Sequence, residues 1–336
     1  MRKIKIAQIG MNKYSHCRQI FQSVAKQSDV FELVGYVLPE NERERLPKRV
    51  ASLEGYREMT LDEVLNDPEI EAVTVETDEI YLTKYALLAA KAGKHVHMEK
   101  PGGADLAEFE QLIATVKQTG KVFSVGYMYR FNPYIQELLR RVKAGELGEI
   151  VSVEAQMNCV HPPEKRQWLT CLPGGMTFLL GCHLIDLVLL LQGQPKTIYP
   201  FNKCSGKDGV TGLDFGMAVL EYEHGVSFIK ATSVELGGYA RRQLVVTGTK
   251  GTVELKPLES RAGGSLIYTT KTEYYSPDWD DVGSTEKTDP LDRYDAMMRH
   301  FALCIIEGKE NPYTPDYELE VYKTLLKCCG TEKAFL

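Results

Sequence analysis

Lys100 follows an apolar, strand-like run in the stretch VHMEKPGG, residues 96–103. Ligands of open parallel sheets bind at the carboxyl ends of the strands, so a lysine at this place faces the expected cleft. Pro101 fixes its own φ and favours an extended Lys100, which gives the amine a defined direction. Such an amine is a candidate for proton chemistry because clefts perturb lysine pKa values. The alternative is a solvated lysine at a strand end, which is the commoner case.

Arg130 lies in a second candidate segment, GYMYRFNP, residues 126–133. Gly126 permits a sharp exit from a strand, and Pro133 is suited to the first position of a helix. The guanidinium of Arg130 can form forked hydrogen bonds to hydroxyls or to a carboxylate. The alternative reading gives Arg130 an interdomain salt bridge and makes the tyrosines packing residues.

His183 and Asp186 lie in the third segment, GGMTFLLGCHLIDLVLLL, residues 174–191. Apart from thiols, they are the only ionisable groups on this apolar helix, and their spacing of three residues puts them on one face. A single core histidine is usually only hydrogen-bonded. Two such groups after Gly174 and Gly175, which permit close backbone approach, indicate a site.

The amino-terminal stretch KIKIAQIGMNKYSHC, residues 3–17, has the pattern of a dinucleotide-binding unit. An apolar strand ends at Gly10 and a turn leads into a helix, which would offer backbone N–H groups to a phosphate. The glycine pattern has Asn12 and Ser15 at its second and third positions. Asn12 therefore puts a side chain where backbone normally approaches a pyrophosphate.

The elements that position these residues alternate between strand and helix through residues 1–125. This order predicts a Rossmann-type parallel sheet with right-handed crossovers. The predicted strands are Ile4–Ile9, Glu32–Leu38, Ala72–Thr77, His95–Met98 and Val122–Val125. The predicted helices are Cys17–Lys26, Thr60–Leu65, Leu82–Ala92 and Leu106–Gln118.

Residues 126–336 show a different pattern, which predicts an α+β domain with a large, mostly antiparallel sheet. A helix over Pro133–Lys143 and a strand over Glu149–Asn158 precede the apolar helix that carries His183. The predicted sheet runs are Met217–Tyr222, Val226–Ser233, Gln243–Thr247 and Thr252–Leu255. Two helices follow, over Tyr294–Ile306 and from Pro315, and residues 276–289 are the candidate mobile loop.

The composition argues against several classes of partner. A net charge of -6 disfavours nucleic acid, and the longest apolar stretch, 176–191, is shorter than the roughly 20 residues of a membrane span. The first residues lack an export signal pattern, and the eight cysteines contain no C-x-x-C. These features predict a cytoplasmic protein with reduced thiols and no metal site.

Taken together, the segments resemble the glucose-fructose oxidoreductase and inositol dehydrogenase (Gfo/Idh/MocA) family over nearly the whole chain. The motifs that carry the resemblance are Glu99-Lys100-Pro101, Gly126 to Pro133, and the glycine run that ends in His183-x-x-Asp186. The resemblance implies an NAD(P)-dependent oxidoreductase that acts on a sugar, cyclitol or related polyol. It also implies a homodimer or homotetramer, for which Phe215, Phe228 and Ile229 are candidates to line the exposed sheet face.

The resemblance also implies residue roles. His183 is the expected catalytic base, and Lys100 is the expected cation and proton relay. Arg130 and Asp186 are expected to hold substrate hydroxyls, while Trp168 is expected either to stack on a sugar face or to serve as packing. The expected cofactor-binding residues are Gly10, Met11, Asn12, Leu38, Thr77, Glu79, Glu99, Lys100 and Pro101.

The chain departs from the family pattern at four positions. The family's aspartate one turn before the histidine is Leu179, with Asp186 as its candidate replacement. Asn12 replaces a glycine, Leu38 replaces the acid that binds the ribose diol, and Glu79 replaces an asparagine beside the nicotinamide. Only Glu40 is close enough in sequence to replace that acid, and Arg43 and Arg45 either accept a 2′-phosphate or form a solvated helix face. The departures support a second hypothesis, a non-redox family member that has lost the dinucleotide.

Overall fold

A parallel sheet of five strands forms the centre of the amino-terminal part of the chain. The computed structural model describes residues 2–331. The strands are β1 (Ile4–Ile9), β2 (Phe31–Val37), β3 (Ala72–Val75), β4 (His95–Met98) and β5 (Phe123–Val125). Their order is β2-β1-β3-β4-β5 and every pairing is parallel. This confirms the predicted Rossmann-type sheet, whose strand order reverses between β1 and β3, where such sheets bind ligands.

Helices connect these strands, and two of them begin with a side-chain cap. The helices are α1 (Cys17–Lys26), α2 (Glu42–Arg45), α3 (Pro47–Val50), α4 (Leu61–Asn66), α5 (Leu82–Lys91) and α6 (Leu106–Thr119). Thr60 and Glu63 form a capping box at the start of α4, and Asp105 caps α6. Gly120 ends α6 in the left-handed conformation, with φ of 64°, which glycine adopts without steric cost.

A second sheet of eight strands follows, and a small two-stranded hairpin falls between two of its strands in chain order. The sheet strands are β6 (Ile150–Asn158), β7 (Thr197–Lys203), β8 (Phe215–Glu221), β9 (Val226–Thr232), β10 (Gln243–Gly248), β11 (Gly251–Leu255), β14 (Thr270–Tyr274) and β15 (Ser284–Lys287). The hairpin is β12 (Ser260–Gly263) with β13 (Leu266–Tyr268). The sheet order is β15-β14-β11-β10-β6-β9-β8-β7, and only β6 and β9 pair in parallel. The prediction of a mostly antiparallel sheet is therefore confirmed.

Three helices accompany this sheet. They are α7 (Pro133–Lys143), α8 (Pro163–Trp168) and α9 (Cys182–Gln192). Asn132 caps α7 through its side-chain oxygen, ahead of Pro133 at the first helical position. A π-helical segment, Thr177–Gly181, leads into α9, whose side chains are buried nearly all round.

The chain then returns to the first sheet. Helices α10 (Asp295–Ile306) and α11 (Pro315–Cys329) complete the described residues. One compact unit contains residues 2–127 together with Tyr294–Tyr322, and the other contains Met128–Arg293 and residues 323–331. The sequence-based division at residues 125 and 126 assigned the whole of 126–336 to the second domain. The structure instead places 294–322 in the first unit.

Contacts within the first unit explain this placement. The Ser23 hydroxyl on α1 donates to the carboxylate of Asp295 on α10 over 2.7 Å. The ring of Tyr322 on α11 stacks on Phe109 of α6 with centroids 4.1 Å apart. Such contacts join residues more than 200 positions apart, so no local pattern reveals them.

The exposed face of the second sheet differs from the prediction at one residue. Ile229 is fully buried on the inner face, opposite Ala218, so its proposed place on the exposed face is wrong. Phe215 and Phe228 are half-buried on the other face. The edge strand β7, which the sequence pattern missed, adds Tyr199 and Phe201 to that face.

Part of the predicted mobile loop forms a strand. Ser284–Lys287, within the predicted mobile loop, pairs with β14 as β15.

Within residues 2–331, no helix has the length and apolar character that crossing a membrane requires.

Candidate active site

The turn after β1 keeps the geometry of a dinucleotide-binding turn. Gly10 has φ of +96°, and a Cβ at this position would lie 2.5 Å from Cγ2 of Thr77. Glycine is therefore required twice, by the left-handed backbone and by the close approach of Thr77 after β3. The ends of β1 and β3 meet here.

Asn12 fills the second position of the turn with a buried side chain. Its Oδ1 accepts from the backbone N–H groups of Tyr14 (2.6 Å) and Ser15 (3.1 Å). Its Nδ2 donates to the carbonyl oxygen of Thr77 (3.0 Å) and to Oε2 of Glu79 (2.9 Å). The amide thus accepts from N–H groups that a glycine-rich turn offers to a phosphate.

Glu42, and not Glu40, reaches this turn. Glu42 is fully buried, and its Oε2 accepts from the backbone N–H of Met11 over 2.8 Å. Glu40 instead accepts from Lys84 and Tyr85 of α5, each over 2.7 Å. The chain between β2 and α2 directs the two carboxylates to different neighbours, so Glu42 is a second acid to consider beside the Glu40 that the sequence indicated.

Leu38, at the position of the missing ribose-binding acid, has a packing role. Its partly buried side chain contacts the hydrophobic cluster Met11, Cys17, Phe21, Tyr36, Leu46 and Leu53. The leucine side chain offers no hydrogen-bond acceptor to a ribose hydroxyl. Arg43 and Arg45 form ion pairs with Glu58 and Asp78.

Lys100 lies among buried carboxylates at the ends of β3 and β4. Its Nζ is 3.8 Å from Oε1 of Glu99, and both side chains are less than a tenth exposed. Burial raises the pKa of Glu99 to about 7, against the opposing charge of Lys100. Glu79 and Glu76 are also buried, and burial raises the pKa of each carboxyl, while Lys100 acts in the opposite direction. The Lys100–Pro101 peptide bond is cis.

The second unit brings three of the candidate residues, together with Tyr129, into two contacts. The guanidinium of Arg130 binds the carboxylate of Asp186 in a forked manner, with Nη2–Oδ1 at 2.7 Å and Nε–Oδ2 at 2.9 Å, and both side chains are about 1% exposed. The ring of Tyr129 meets the imidazole of His183 edge-on, with centroids 5.3 Å apart. Because His183 and Asp186 both lie on α9, the two contacts join this helix to the Met128–Phe131 turn.

Two further residues from the sequence analysis precede α9 in the chain. Trp168 is the last residue of α8 and is half-buried. Leu179 is buried within the π-helical segment before α9. The roles proposed for these residues, and for His183 and Lys100, stay predictions.

Sequence reasoning missed two buried carboxylates in the first unit. Glu42 begins the run Glu-Arg-Glu-Arg, which was interpreted as a solvated face, yet it is fully buried. Glu76 directly follows β3, and neither of its oxygens has a hydrogen-bond partner among the described residues. The signal available for Glu76 was an acidic residue at the carboxyl end of an apolar strand. For Glu42, the alternating charges indicated a solvated side chain instead of a buried one.

Two family models match this chain. A family model described as an oxidoreductase family with an NAD-binding Rossmann fold matches residues 4–127, and a GFO/IDH/MocA C-terminal domain model matches residues 135–254. The two matches together cover more than half of the chain. The chain belongs to the Gfo/Idh/MocA family.

Relatives within the Gfo/Idh/MocA family include characterised dehydrogenases. The NADP+-dependent scyllo-inositol 2-dehydrogenase IolW of Bacillus subtilis is 25% identical over 79% of this chain and 77% of its own length. The NAD+-dependent scyllo-inositol 2-dehydrogenase of the same organism is 26% identical over 77% of this chain and 74% of its own. The aldose-aldose oxidoreductase of Caulobacter crescentus, solved with glycerol, aligns with a TM-score of 0.78 at 21% identity over 99% of this chain and 98% of its own. The last comparison shows the shared fold.

The residues present fit the dinucleotide that this family implies. The Gly10 turn is formed, and backbone N–H groups suited to a phosphate are present at residues 11, 14 and 15. Glu42 accepts from Met11, and Asn12 accepts from Tyr14 and Ser15, where a phosphate is a stronger, anionic acceptor that can compete with the neutral amide. The buried Oε1 of Glu42 has no hydrogen-bond partner among residues 2–331, which leaves an acceptor for a ligand hydroxyl.

Burial of Glu42 predicts a pH-dependent stability. Burial raises the pKa of this carboxyl to about 8, above its ordinary value, so the folded state holds a proton that the unfolded state releases. This contribution to stability is complete below the ordinary pKa and is lost as pH rises towards 8. We expect the contribution of Glu42 to the free energy of unfolding, measured with urea as the difference from Glu42→Gln, to fall between pH 5 and pH 8 by up to roughly 1.4 kcal/mol per pH unit. A difference that does not change with pH would contradict the assignment.

Proposed function

We propose that this chain is an oxidoreductase that uses NAD or NADP to oxidise or reduce one CH–OH carbon of a sugar, cyclitol or related polyol. The observation that carries the proposal is the position of Lys100. This buried lysine lies with Glu99 at the end of β4, and its charge acts on Glu79, which is bonded to Asn12 of the glycine turn. The charged Lys100 and the Gly10 turn, which would hold the cofactor, thus lie in the same unit.

Lys100 has the chemical properties of a cation at an oxyanion. Its ammonium can donate a hydrogen bond to the substrate oxygen and stabilise negative charge that develops there. The buried carboxyls of Glu76, Glu79 and Glu99 are the acidic groups on which the charge of Lys100 acts. The nicotinamide ring, when bound, exchanges hydride with the substrate carbon.

His183 is the proposed base that accepts the hydroxyl proton. The edge-on ring of Tyr129 limits rotation of the buried imidazole. Arg130 and Asp186 bind each other, and this pair fixes α9 against the Met128–Phe131 turn that carries Tyr129. In this proposal the pair positions His183 as well as forming part of the polyol-binding surface, and Trp168 stacks on a sugar face.

The substrate class draws support from the names of the relatives. Two relatives act on scyllo-inositol by name, and a structural neighbour is an aldose-aldose oxidoreductase. The direct test incubates the purified chain with NAD or NADP and a panel of inositols, aldoses and linear polyols, and follows nicotinamide absorbance. We expect turnover with at least one member of the panel that disappears in His183→Asn. Absence of turnover in both directions with both cofactors would overturn the proposal.

A second candidate function is a sugar-binding family member that has lost the dinucleotide. The bonds from Tyr14 and Ser15 to Asn12 favour it, because they occupy donors that a pyrophosphate needs. Thermal unfolding separates the two candidates. A cofactor at about 100 times its dissociation constant adds roughly 2.7 kcal/mol to stability, which shifts the midpoint measurably. No shift with NAD, NADP or their reduced forms would favour the second candidate.

We further propose a cytoplasmic homodimer or homotetramer that is formed through the open face of the second sheet. Tyr199 and Phe201 are each nearly half exposed there, at 47% and 48%. Met217 and Val219 are their cross-strand neighbours, so the aromatic side chains lie on a partly apolar surface. We expect light scattering after size-exclusion chromatography to give a mass of at least two chains at micromolar concentration. A mass near one chain, 37.8 kDa, would contradict this.

A further inference from the structure

Glu42 offers a carboxylate at the place where dinucleotide-binding folds need one. In such folds an acidic residue near the end of the second strand binds a ribose hydroxyl of the adenosine. Here the residue directly after β2 is Leu38, which packs in a hydrophobic cluster. Glu42 follows four residues later as the first residue of α2, and its side chain returns to the glycine turn.

We propose that Glu42 binds the ribose diol of the adenosine half of the cofactor and selects NAD over NADP. This inference rests on the proposed function, because it requires that a dinucleotide binds. It assigns the role to a residue outside the usual motif position.

The two oxygens of Glu42 have different surroundings. Oε2 is fixed by the N–H of Met11 at 2.8 Å, which holds the carboxylate against the turn that a dinucleotide would approach. Oε1 is buried and has no hydrogen-bond partner among the described residues. A buried acceptor without a donor is costly, and a ribose hydroxyl would supply the missing donor.

An ion pair that can open lies next to Glu42. Arg45 on α2 pairs with Asp78 after β3, and the two side chains are 42% and 15% exposed. Partly exposed ion pairs contribute little to stability, so an entering ribose can separate this one at small cost. The charges of Arg45 and Asp78 both act on the Glu42 carboxyl.

The surroundings of Glu42 disfavour a 2′-phosphate. A phosphate placed on the diol would meet the Glu42 carboxylate directly, and like charges in a buried site repel strongly. A diol that carries no phosphate avoids this repulsion.

The protonation state of Glu42 sets the best conditions for a test. Burial raises the pKa of this carboxyl to about 8, and the charged groups that act on it are Asp78, Arg45 and Glu40. Hydroxyls can donate or accept, so the diol binds to either form of the carboxyl. Repulsion of a 2′-phosphate is greatest once Glu42 is ionised, which is the case at pH 9.

The test measures dissociation constants of NADH and NADPH by calorimetry at pH 9 for the full-length chain and two variants. We expect the unsubstituted protein to bind NADH more tightly than NADPH. Glu42→Gln should weaken NADH binding about 10- to 100-fold, as expected for loss of a charge-assisted hydrogen bond, and should reduce the preference over NADPH. Glu40→Gln is the matched control, because Glu40 is bonded to α5, and it should keep both constants.

Several outcomes would overturn the assignment. Tighter binding of NADH by Glu42→Gln would mean that the carboxylate competes with the cofactor for the turn. An unchanged NADH to NADPH ratio, or a preference for NADPH in the unsubstituted protein, would also reject it. Thermal unfolding without ligand checks that Glu42→Gln is folded. Turnover with an unaltered ratio overturns only the role of Glu42, whereas absence of both binding and turnover overturns the proposed function as well.

Discussion

Replacing Lys100 with methionine is expected to lower the turnover number by about 10³-fold, because it removes the charge that would stabilise the substrate oxygen. Methionine keeps most of the side-chain volume, so the packing at the end of β4 is retained. The change also leaves Glu76, Glu79 and Glu99 without their shared counter-charge, and their carboxyls should take up protons more readily. The readout is the turnover number at saturating cofactor and substrate, with the dissociation constant of the reduced cofactor measured alongside.

Lys84 provides the matched control for this change. It lies on α5 in the same unit, is 48% exposed and pairs with Glu40. Lys84→Met should keep the turnover number within about threefold, since an exposed charge away from the turn is screened by water and salt. If Lys100→Met also stays within that range while the cofactor binds, Lys100 takes no part in the chemistry.

The sequence predicts most of the fold because its signals there are local. The bounds of β1, β4, α1 and α7 agree with the predictions, since apolar periodicity and capping residues act within a few positions of each other. Strand β7 was missed because it contains Pro200 and lies at the sheet edge with mostly exposed side chains. The return of 294–322 to the first unit depends on contacts between distant residues, which local patterns do not contain.

The residues of the candidate site also divide into those that local patterns predict and those whose position depends on tertiary contacts. Gly10 and Lys100 were found because their motifs join a residue type to a strand end. The burial of Glu42 was not predictable from Glu-Arg-Glu-Arg, since alternating charges ordinarily mark a solvated helix. It results from the short path between β2 and α2, which turns Glu40 towards α5 and Glu42 towards Met11. Tertiary geometry thus decides which of two nearby carboxylates meets the cofactor turn.

The Arg130–Asp186 pair changes what a substitution at Asp186 should do. A carboxylate on a solvent-filled site can be replaced by an amide without loss of stability. Here both partners are about 1% exposed, and removing one leaves the other charge buried and uncompensated. Arg130→Met and Asp186→Asn are each expected to lower the free energy of unfolding by about 3–5 kcal/mol. That is a large fraction of the total stability of a typical domain.

The double variant Arg130→Met with Asp186→Leu separates the charge effect from packing. Replacing a buried ion pair by apolar side chains of similar volume is often neutral, so this variant should be more stable than either single change. Arg140→Met is the matched surface control, because Arg140 pairs with Glu146 at 2.9 Å with both side chains well exposed, and it should cost at most about 1 kcal/mol. Urea unfolding measures all four variants. If Arg130→Met costs no more than Arg140→Met, the pair does not hold α9 in place, and the positioning of His183 must come from Tyr129 and the π-helical segment instead.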